Sequence, residues 1–146
     1  MHLTRHTDYS LRLLMYLAVR PKQRATIAEV ARRFGISRNH LMKVAQRLGT
    51  QGYIETSRGK GGGLSLAQPP TAIRLGHVVR SGESGFPIAE CFEHGGACPI
   101  EAACRLRSVL RDALSAFLQV LDGYTLNDLV EDRTELGQLL GLRLVR

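Results

Sequence analysis

The chain has 146 residues, of which 44% are hydrophobic and 5% aromatic, and it carries a formal net charge of +7. This length and hydrophobic share predict one small globular domain, or one domain with an appendage. No apolar run approaches the roughly 20 residues that a membrane helix needs, and the amino-terminal residues lack the apolar core of a signal peptide. We therefore expect a cytoplasmic protein without a membrane partner. The three cysteines are an odd number, which argues against the disulfide framework of a secreted protein.

Three helices are predicted in the first fifty residues. The first spans residues 7–19, the second covers 27–34 after the capping residue Thr26, and the third extends from the cap Ser37 to about residue 48. Gly35 separates the second helix from the third. A short helix, a glycine turn and a capped second helix are typical of a helix-turn-helix motif.

A β-hairpin is predicted directly after this motif. Two short alternating segments, 53–57 and 64–66, flank a glycine-rich tip, and a hairpin in this position is a wing. A short helix over residues 73–80 follows. Residues 81–99 are rich in glycine and proline and predict a loop.

A long helix is predicted over residues 102–122, and it is apolar on two sides. Such a helix needs two partners, so we expect it to contact both its own domain and the same helix of a second subunit. Thr125 is predicted to cap a short helix over 126–130, whereas no pattern places the tail from Thr134 onward. The two stripes of the long helix consist of Leu106, Leu110, Ala113, Phe117 and Val120, and of Val109, Leu114, Leu118 and Leu121.

These elements predict a mainly α fold with a small β-hairpin. We expect a winged helix-turn-helix DNA-binding domain over residues 1–80, a loop over 81–101 that holds Cys91 and Cys98 and is therefore a candidate cluster-binding loop, and a dimerisation helix with the C-terminal tail over 102–146. Residues 1–80 carry 14 Lys and Arg against 3 Asp and Glu, net +11, and the remaining residues carry 6 against 10, net −4. A basic half of this density favours a nucleic acid as the partner.

The third helix is predicted to be the recognition helix in a DNA major groove. Arginine suits guanine and asparagine suits adenine, because each forms paired hydrogen bonds to the base edge. A solvated basic face, or a helix-turn-helix used for protein contacts, is the alternative. The candidate base contacts are Ser37, Arg38, Asn39, His40 and Lys43, with Arg47 further along for phosphate and Arg58 and Lys60 at the wing tip for the backbone or the minor groove.

Cys91, Cys98 and Cys104 are spaced C-x6-C-x5-C. Three thiolates fit an iron–sulfur cluster or zinc, and the alternative is a metal-free thiol switch. Structural zinc normally takes four protein ligands, often from C-x2-C pairs, and this chain has no such pair. The sequence also lacks a Ser/His/Asp array, a phosphate loop after a strand and a second cluster motif, so we expect a regulator rather than an enzyme.

A fourth ligand to such a site has to come from elsewhere in the chain. Asp8 starts the first helix, and its alternative role is a carboxylate that offsets the helix dipole. The candidates are Glu90, Glu93, His94 and Glu101 near the cysteines, and His2, His6, Asp8 and His77 at a distance.

Several segments resemble the winged-helix iron–sulfur regulators that include IscR and NsrR. They are residues 7–12 (TDYSLR), 37–44 (SRNHLMKV), 52–54 (GYI), 58–64 (RGKGGGL) and 103–106 (ACRL), and residues 122–130 (DGYTLNDLV) resemble the NsrR type. The resemblance extends from Leu3 to about Val130. It implies a homodimeric repressor that reads a near-palindromic double-stranded DNA operator, senses nitric oxide, and releases the operator when its cluster is nitrosylated or lost. An IscR-like regulator of cluster assembly is the alternative within the family.

The resemblance also implies a ligand set. Cys91, Cys98 and Cys104 would hold a 4Fe-4S cluster, with 2Fe-2S as the alternative, and Asp8 of the partner subunit would complete it. His94 or a water molecule is the alternative fourth ligand. IscR-like proteins use a histidine three residues after the last cysteine, and Arg107 stands at that position here.

Overall fold

The computed structural model describes residues 2–21, 23–92 and 98–142. Within them the chain is mainly helical, with one two-stranded antiparallel hairpin. The predicted fold class is confirmed. The elements are α1 (Arg5–Val19), α2 (Ile27–Phe34), α3 (Arg38–Thr50), β1 (Ile54–Ser57), β2 (Gly63–Leu66), α4 (Leu75–Gly82), α5 (Arg105–Asp122) and α6 (Arg133–Leu139).

Side-chain caps fix where the first three helices begin. The hydroxyls of Thr4, Thr26 and Ser37 each accept a hydrogen bond from the amide three residues later, which satisfies a donor that the helix itself leaves free. Because Thr4 is the cap, α1 begins two residues before the predicted start. Gly35 ends α2 in the left-handed conformation, with φ of 64°.

A single aliphatic core joins α1 to α2, α3 and the hairpin. Tyr16, Leu14 and Leu41 are completely buried there, and full burial of each such side chain contributes about 1.5–3 kcal/mol. Leu126 and Val130 from the C-terminal region lie in the same core. The division of the chain at residues 80 and 101 stays a prediction.

The two strands of the hairpin pair with each other, and β2 also pairs with the segment before α2. Ile54 pairs with Leu66 and Ser57 with Gly63. The backbone of Ala25 exchanges two hydrogen bonds with that of Leu64, at 3.0 and 2.7 Å. The tip-side half of β2 is therefore anchored to the segment that precedes α2.

Four local predictions differ from the structure. The fourth helix begins at Leu75, because a 3-10 turn (Pro70–Ala72) precedes it, and the long helix begins at Arg105 after a second 3-10 turn (Glu101–Ala103). Thr125 does not cap a helix: its amide and hydroxyl donate to Asp128 at 2.6 and 2.8 Å, ahead of a 3-10 turn (Asp128–Val130). The unplaced tail contains α6, which Asp132 caps and which packs on α1.

The burial of α5 does not separate the two predicted stripes cleanly. Leu110 and Phe117 of the first stripe are half-buried, and so are Leu114, Leu118 and Leu121 of the second. The exposed apolar residues of α5 are Leu106, Val109, Ala113, Ala116 and Val120, at alternating steps of three and four, which place them on one helix face. No residue of α5 is fully buried. In the described part of the chain, no helix is long and apolar enough to span a bilayer.

Candidate metal centre and nucleic-acid interface

Helix α3 holds the predicted base-reading residues on its outer face. Its buried side consists of Leu41, Val44, Ala45 and Leu48, which pack toward α1 and α2. With that side fixed in the core, Arg38, Asn39 and Lys43 are exposed, as is the cap Ser37. The helix therefore presents a continuous polar and basic surface that begins at its first turn.

His40 differs from its neighbours because it is half-buried against α1. Its ring meets that of Tyr9 edge to face, with centroids 4.9 Å apart. His6 lies close by, and burial, together with the positive charges of Arg47 and His40, holds the pKa of His6 below its ordinary value. His40 thus joins the outer face of α3 to the first helix.

Arg47 contacts the protein itself in this structure. Its Nη2 donates to the carbonyl oxygen of Ser81 at 2.5 Å, although most of the residue is exposed. The structure thereby gives Arg47 an intramolecular partner, which sequence reasoning did not foresee, and its contact with phosphate stays a prediction.

The wing tip holds Arg58 and Lys60, both exposed. They alternate with Gly59 and Gly61, whose φ angles are 92° and 80°. Positive φ at both glycines turns the chain tightly between the strands. The two basic side chains therefore stand on a narrow tip that is able to approach a phosphate backbone closely.

Met42 was missed by the sequence interpretation. It lies on α3 between a buried leucine and Lys43, and it is 51% exposed. An apolar side chain on a recognition helix suits the methyl group of thymine. The signal was available in the sequence, because Met42 falls outside the helical period of the buried residues.

The three cysteines are free thiols on three different local structures. Cys91 is half-buried in a 3-10 turn (Glu90–Phe92), and Cys98 is exposed, with its carbonyl accepting from the Glu101 amide at 3.1 Å. Cys104 is half-buried and is the N-cap residue of α5. Residues 93–97 lie outside the described residues, and with them the ligand candidates Glu93 and His94.

The amino-terminal end of α5 offers hydrogen-bond donors beside Cys104. No side chain caps this helix, and the first turn of α5 contains no acidic residue. Arg107 is held by an ion pair with Glu101, while its buried Nε has no acceptor within the described part of the chain. Free amides at a helix amino terminus and an unpaired guanidinium N–H favour anionic sulfur nearby. The surroundings of Cys104 therefore fit a thiolate ligand set.

The described residues of one subunit do not by themselves complete a four-ligand site. Within the ranges given above, no three His, Cys, Asp or Glu side chains converge as metal ligands. Asp8 lies on α1 and forms an ion pair with Arg12 at 2.8 Å, with the two side chains 42% and 44% exposed. Asp8 is not the cap of α1, since that role belongs to Thr4.

Sequence and structure comparisons identify the family. The profile of the Rrf2 family, described as Iron-dependent Transcriptional regulator, matches residues 3–132. The chain is 48% identical over 145 residues to the HTH-type transcriptional regulator NsrR of Bacillus subtilis (strain 168), covering 98% of this chain and 99% of that protein. It is also 48% identical over 142 residues to the NsrR of Geobacillus kaustophilus (strain HTA426), covering 96% of this chain and 97% of that protein.

Solved structures agree on the fold. CymR (YrzC), the global cysteine regulator of B. subtilis, superposes with a TM-score of 0.70 at 25% identity, over 90% of this chain and 97% of that chain. T. potens IscR does so with a TM-score of 0.73 at 22% identity, over 90% of this chain and 88% of that one. The chain therefore belongs to the Rrf2 family of transcriptional regulators and is similar to its NsrR-type members.

Proposed function

We propose that this chain is a homodimeric DNA-binding repressor that senses nitric oxide through an iron–sulfur cluster on Cys91, Cys98 and Cys104. The observation that carries the proposal is the set of three free thiols in the segment that connects the winged helix-turn-helix to α5. The near full-length similarity to NsrR regulators supports the assignment to this type, and the signal is what the resemblance of residues 122–130 to the NsrR type implies.

The cluster, when bound, supplies iron that reacts with nitric oxide. Cys91, Cys98 and Cys104 would hold it, and the amides at the start of α5 and Nε of Arg107 would be available as donors to its anionic ligands. A 4Fe-4S cluster is proposed, with 2Fe-2S as the alternative. Because Cys104 begins α5, the ligand set is attached directly to the helix that we propose as the dimer interface.

Asp8 is proposed as the fourth ligand, provided by the partner subunit. Its ion pair with Arg12 is exposed, and pairs of this kind contribute at most about 1 kcal/mol. Turning the carboxylate toward a neighbouring subunit therefore costs little. A carboxylate is a harder ligand than thiolate for cluster iron, so the iron that it binds would be the most accessible to nitric oxide.

Replacing Asp8 by alanine is expected to change the absorbance of the cluster and to alter its response to nitric oxide. Arg12→Ala is the matched control, because it removes the ion pair and leaves the carboxylate in place. Anaerobic absorbance titrations with nitric oxide measure both variants. An unchanged spectrum and response in Asp8→Ala would restrict Asp8 to its contact with Arg12.

Phosphate contacts are expected to dominate the affinity for DNA. A dimer that contacts about 8 phosphates should show a log–log slope of affinity against salt concentration near −7. An operator duplex is first selected from a random library with the anaerobically purified protein. Fluorescence anisotropy with this duplex at several salt concentrations then measures the slope. An affinity insensitive to salt would contradict docking through Arg58, Lys60 and the basic face of α3.

Anaerobic purification tests the proposed cofactor. We expect a coloured protein with bound iron and sulfide whose absorbance changes when a nitric-oxide donor is added. A colourless protein with no iron, whose DNA binding responds to oxidants of thiols, would favour the metal-free thiol switch. That alternative is consistent with the exposed thiol of Cys98.

A further inference from the structure

We propose that Ser81, Gly82 and Glu83, called the junction below, position both the first turn of α1 and the end of the recognition helix. The inference deepens the proposed function and rests on it where it concerns the response to nitric oxide. The junction comprises the last two residues of α4 and the residue after them. It lies immediately before the segment that carries the cysteines.

Glu83 acts as a second cap of α1. Its Oε1 accepts from the backbone amide of Thr4 at 2.8 Å and from the hydroxyl of Thr4 at 3.0 Å. The Thr4 hydroxyl in turn accepts from the amide of Thr7 at 3.3 Å. A residue 79 positions away along the chain therefore fixes the start of the helix.

The charge of Glu83 suits this position. Burial alone would raise the pKa of its carboxyl group, but hydrogen bonds from Thr7 and Thr4 hold the pKa below its ordinary value. The group is therefore an anion at the positive end of a 15-residue helix. Both the hydrogen bonds and the helix dipole favour the contact.

Gly82 permits the close approach of the junction to α1. A Cβ atom at this position would lie 2.4 Å from Oγ1 of Thr7, a residue that is fully buried. Gly82 and Thr7 cannot move apart without disturbing the packing of α1. The junction is consequently in direct contact with the turn of α1 that contains Asp8.

Ser81 makes the contact with the recognition helix. Its carbonyl oxygen accepts from Nη2 of Arg47 at 2.5 Å and from Nε2 of Gln51 at 3.3 Å. Arg47 lies in the last turn of α3 and Gln51 is its C-cap residue. A free carbonyl at the end of α4 is a favourable site for a guanidinium group.

Three consecutive residues thus hold α1 and α3 in one arrangement. These residues connect the cysteine segment to α1 and α3 on its amino-terminal side. Glu83 and Ser81 are positioning residues in this proposal, because they act through Thr4 and Arg47 and bind neither iron nor DNA.

Replacing Glu83 by glutamine tests the α1 contact. Amide hydrogen exchange in Arg5 to Asp8 is expected to accelerate about tenfold, because a hydrogen bond to a charged group is lost. Glu131→Gln, which removes the same charge from an exposed site, should leave this exchange unchanged. Gly82→Ala should accelerate it as well, because the added Cβ pushes the junction away from Thr7.

Operator binding before and after a nitric-oxide donor tests the coupling. If the wild type loses about 100-fold in affinity, the loss in Glu83→Gln should fall below about tenfold, with iron and sulfide content unchanged. Gln51→Ala should likewise show a smaller loss of operator affinity after the nitric-oxide donor than the wild type does. Exchange and affinity loss equal to those of the wild type in Glu83→Gln, Gly82→Ala and Gln51→Ala would overturn the proposal.

The two proposals fail in different ways. A wild type whose operator affinity ignores nitric oxide would overturn the proposed function and the coupling with it. The exchange experiment requires neither iron nor DNA, so it still decides whether the junction positions α1.

Discussion

Replacing Cys98 by serine is expected to remove bound iron and sulfide and to weaken operator binding about 100-fold, the upper range of coupling between two sites. Cys98 is the most informative of the three cysteines because it is exposed. Its thiol contributes little to packing, so serine should leave the fold intact. Metal analysis and operator titration of the same anaerobic sample measure both effects.

Ser84→Ala is the matched control for this substitution, because Ser84 is an exposed residue before the first cysteine. It should retain the iron content and the affinity of the wild type. A Cys98→Ser protein that retained a full complement of iron would contradict the proposed ligand set. One that lost its iron but bound the operator normally would contradict the switch.

The second large effect is expected at the exposed face of α5. Leu106 and Val109 are 64% and 59% exposed, and Val120 is 61% exposed on the same face. An apolar stripe on an 18-residue helix with no fully buried residue is typical of a helix that packs against a partner. Changing Leu106 and Val109 together to aspartate should convert the proposed dimer to a monomer, which sedimentation measures.

The same double variant should bind the operator at least about 100-fold more weakly, because a monomer has one recognition helix and loses the gain from a linked second site. Ser115→Asp, on an exposed polar position of α5, is the control and should remain dimeric. A double variant that stayed dimeric would exclude this face as the interface. Unchanged thermal stability of its monomer would confirm that the effect is not one of folding.

The helix-turn-helix was predictable from the sequence because its signals are local. Thr26 and Ser37 cap the second and third helices as expected, and Gly35 takes the left-handed conformation between them. Each of these signals acts within four residues, where backbone hydrogen bonding decides the structure. The wing followed from its glycine tip and the alternation of its strands.

The long-range contacts were not predictable. The period of α5 shows that two faces of the helix are apolar, but it does not show which face packs against the core of the same chain. In the structure Phe117 is half-buried and Val109 is exposed. Helix α6 is seven residues long and too short for a clear pattern. The contact of Glu83 with Thr4 joins residues 79 positions apart, and no local signal announces it.

The candidate metal centre depends on a local pattern that the sequence shows and on a long-range contact that it does not show. The spacing of the three cysteines singled them out as candidate ligands, and the start of α5 after Cys104 has no side-chain cap. The proposed fourth ligand, Asp8, would come from a second subunit, so neither the sequence alone nor the fold of one chain tests it. The exposure of Met42 on α3, in contrast, was predictable from the sequence, because Met42 falls outside the helical period of the buried residues.

The central claim is that the state of an iron–sulfur cluster sets the affinity for DNA, and one measurement tests it most directly. Anaerobic protein of known iron and sulfide content is titrated with its selected operator before and after stoichiometric nitric oxide. The account predicts tight binding with the cluster intact and a loss of about 100-fold after treatment. Equal affinity in the two titrations, with iron present in the first, would contradict it.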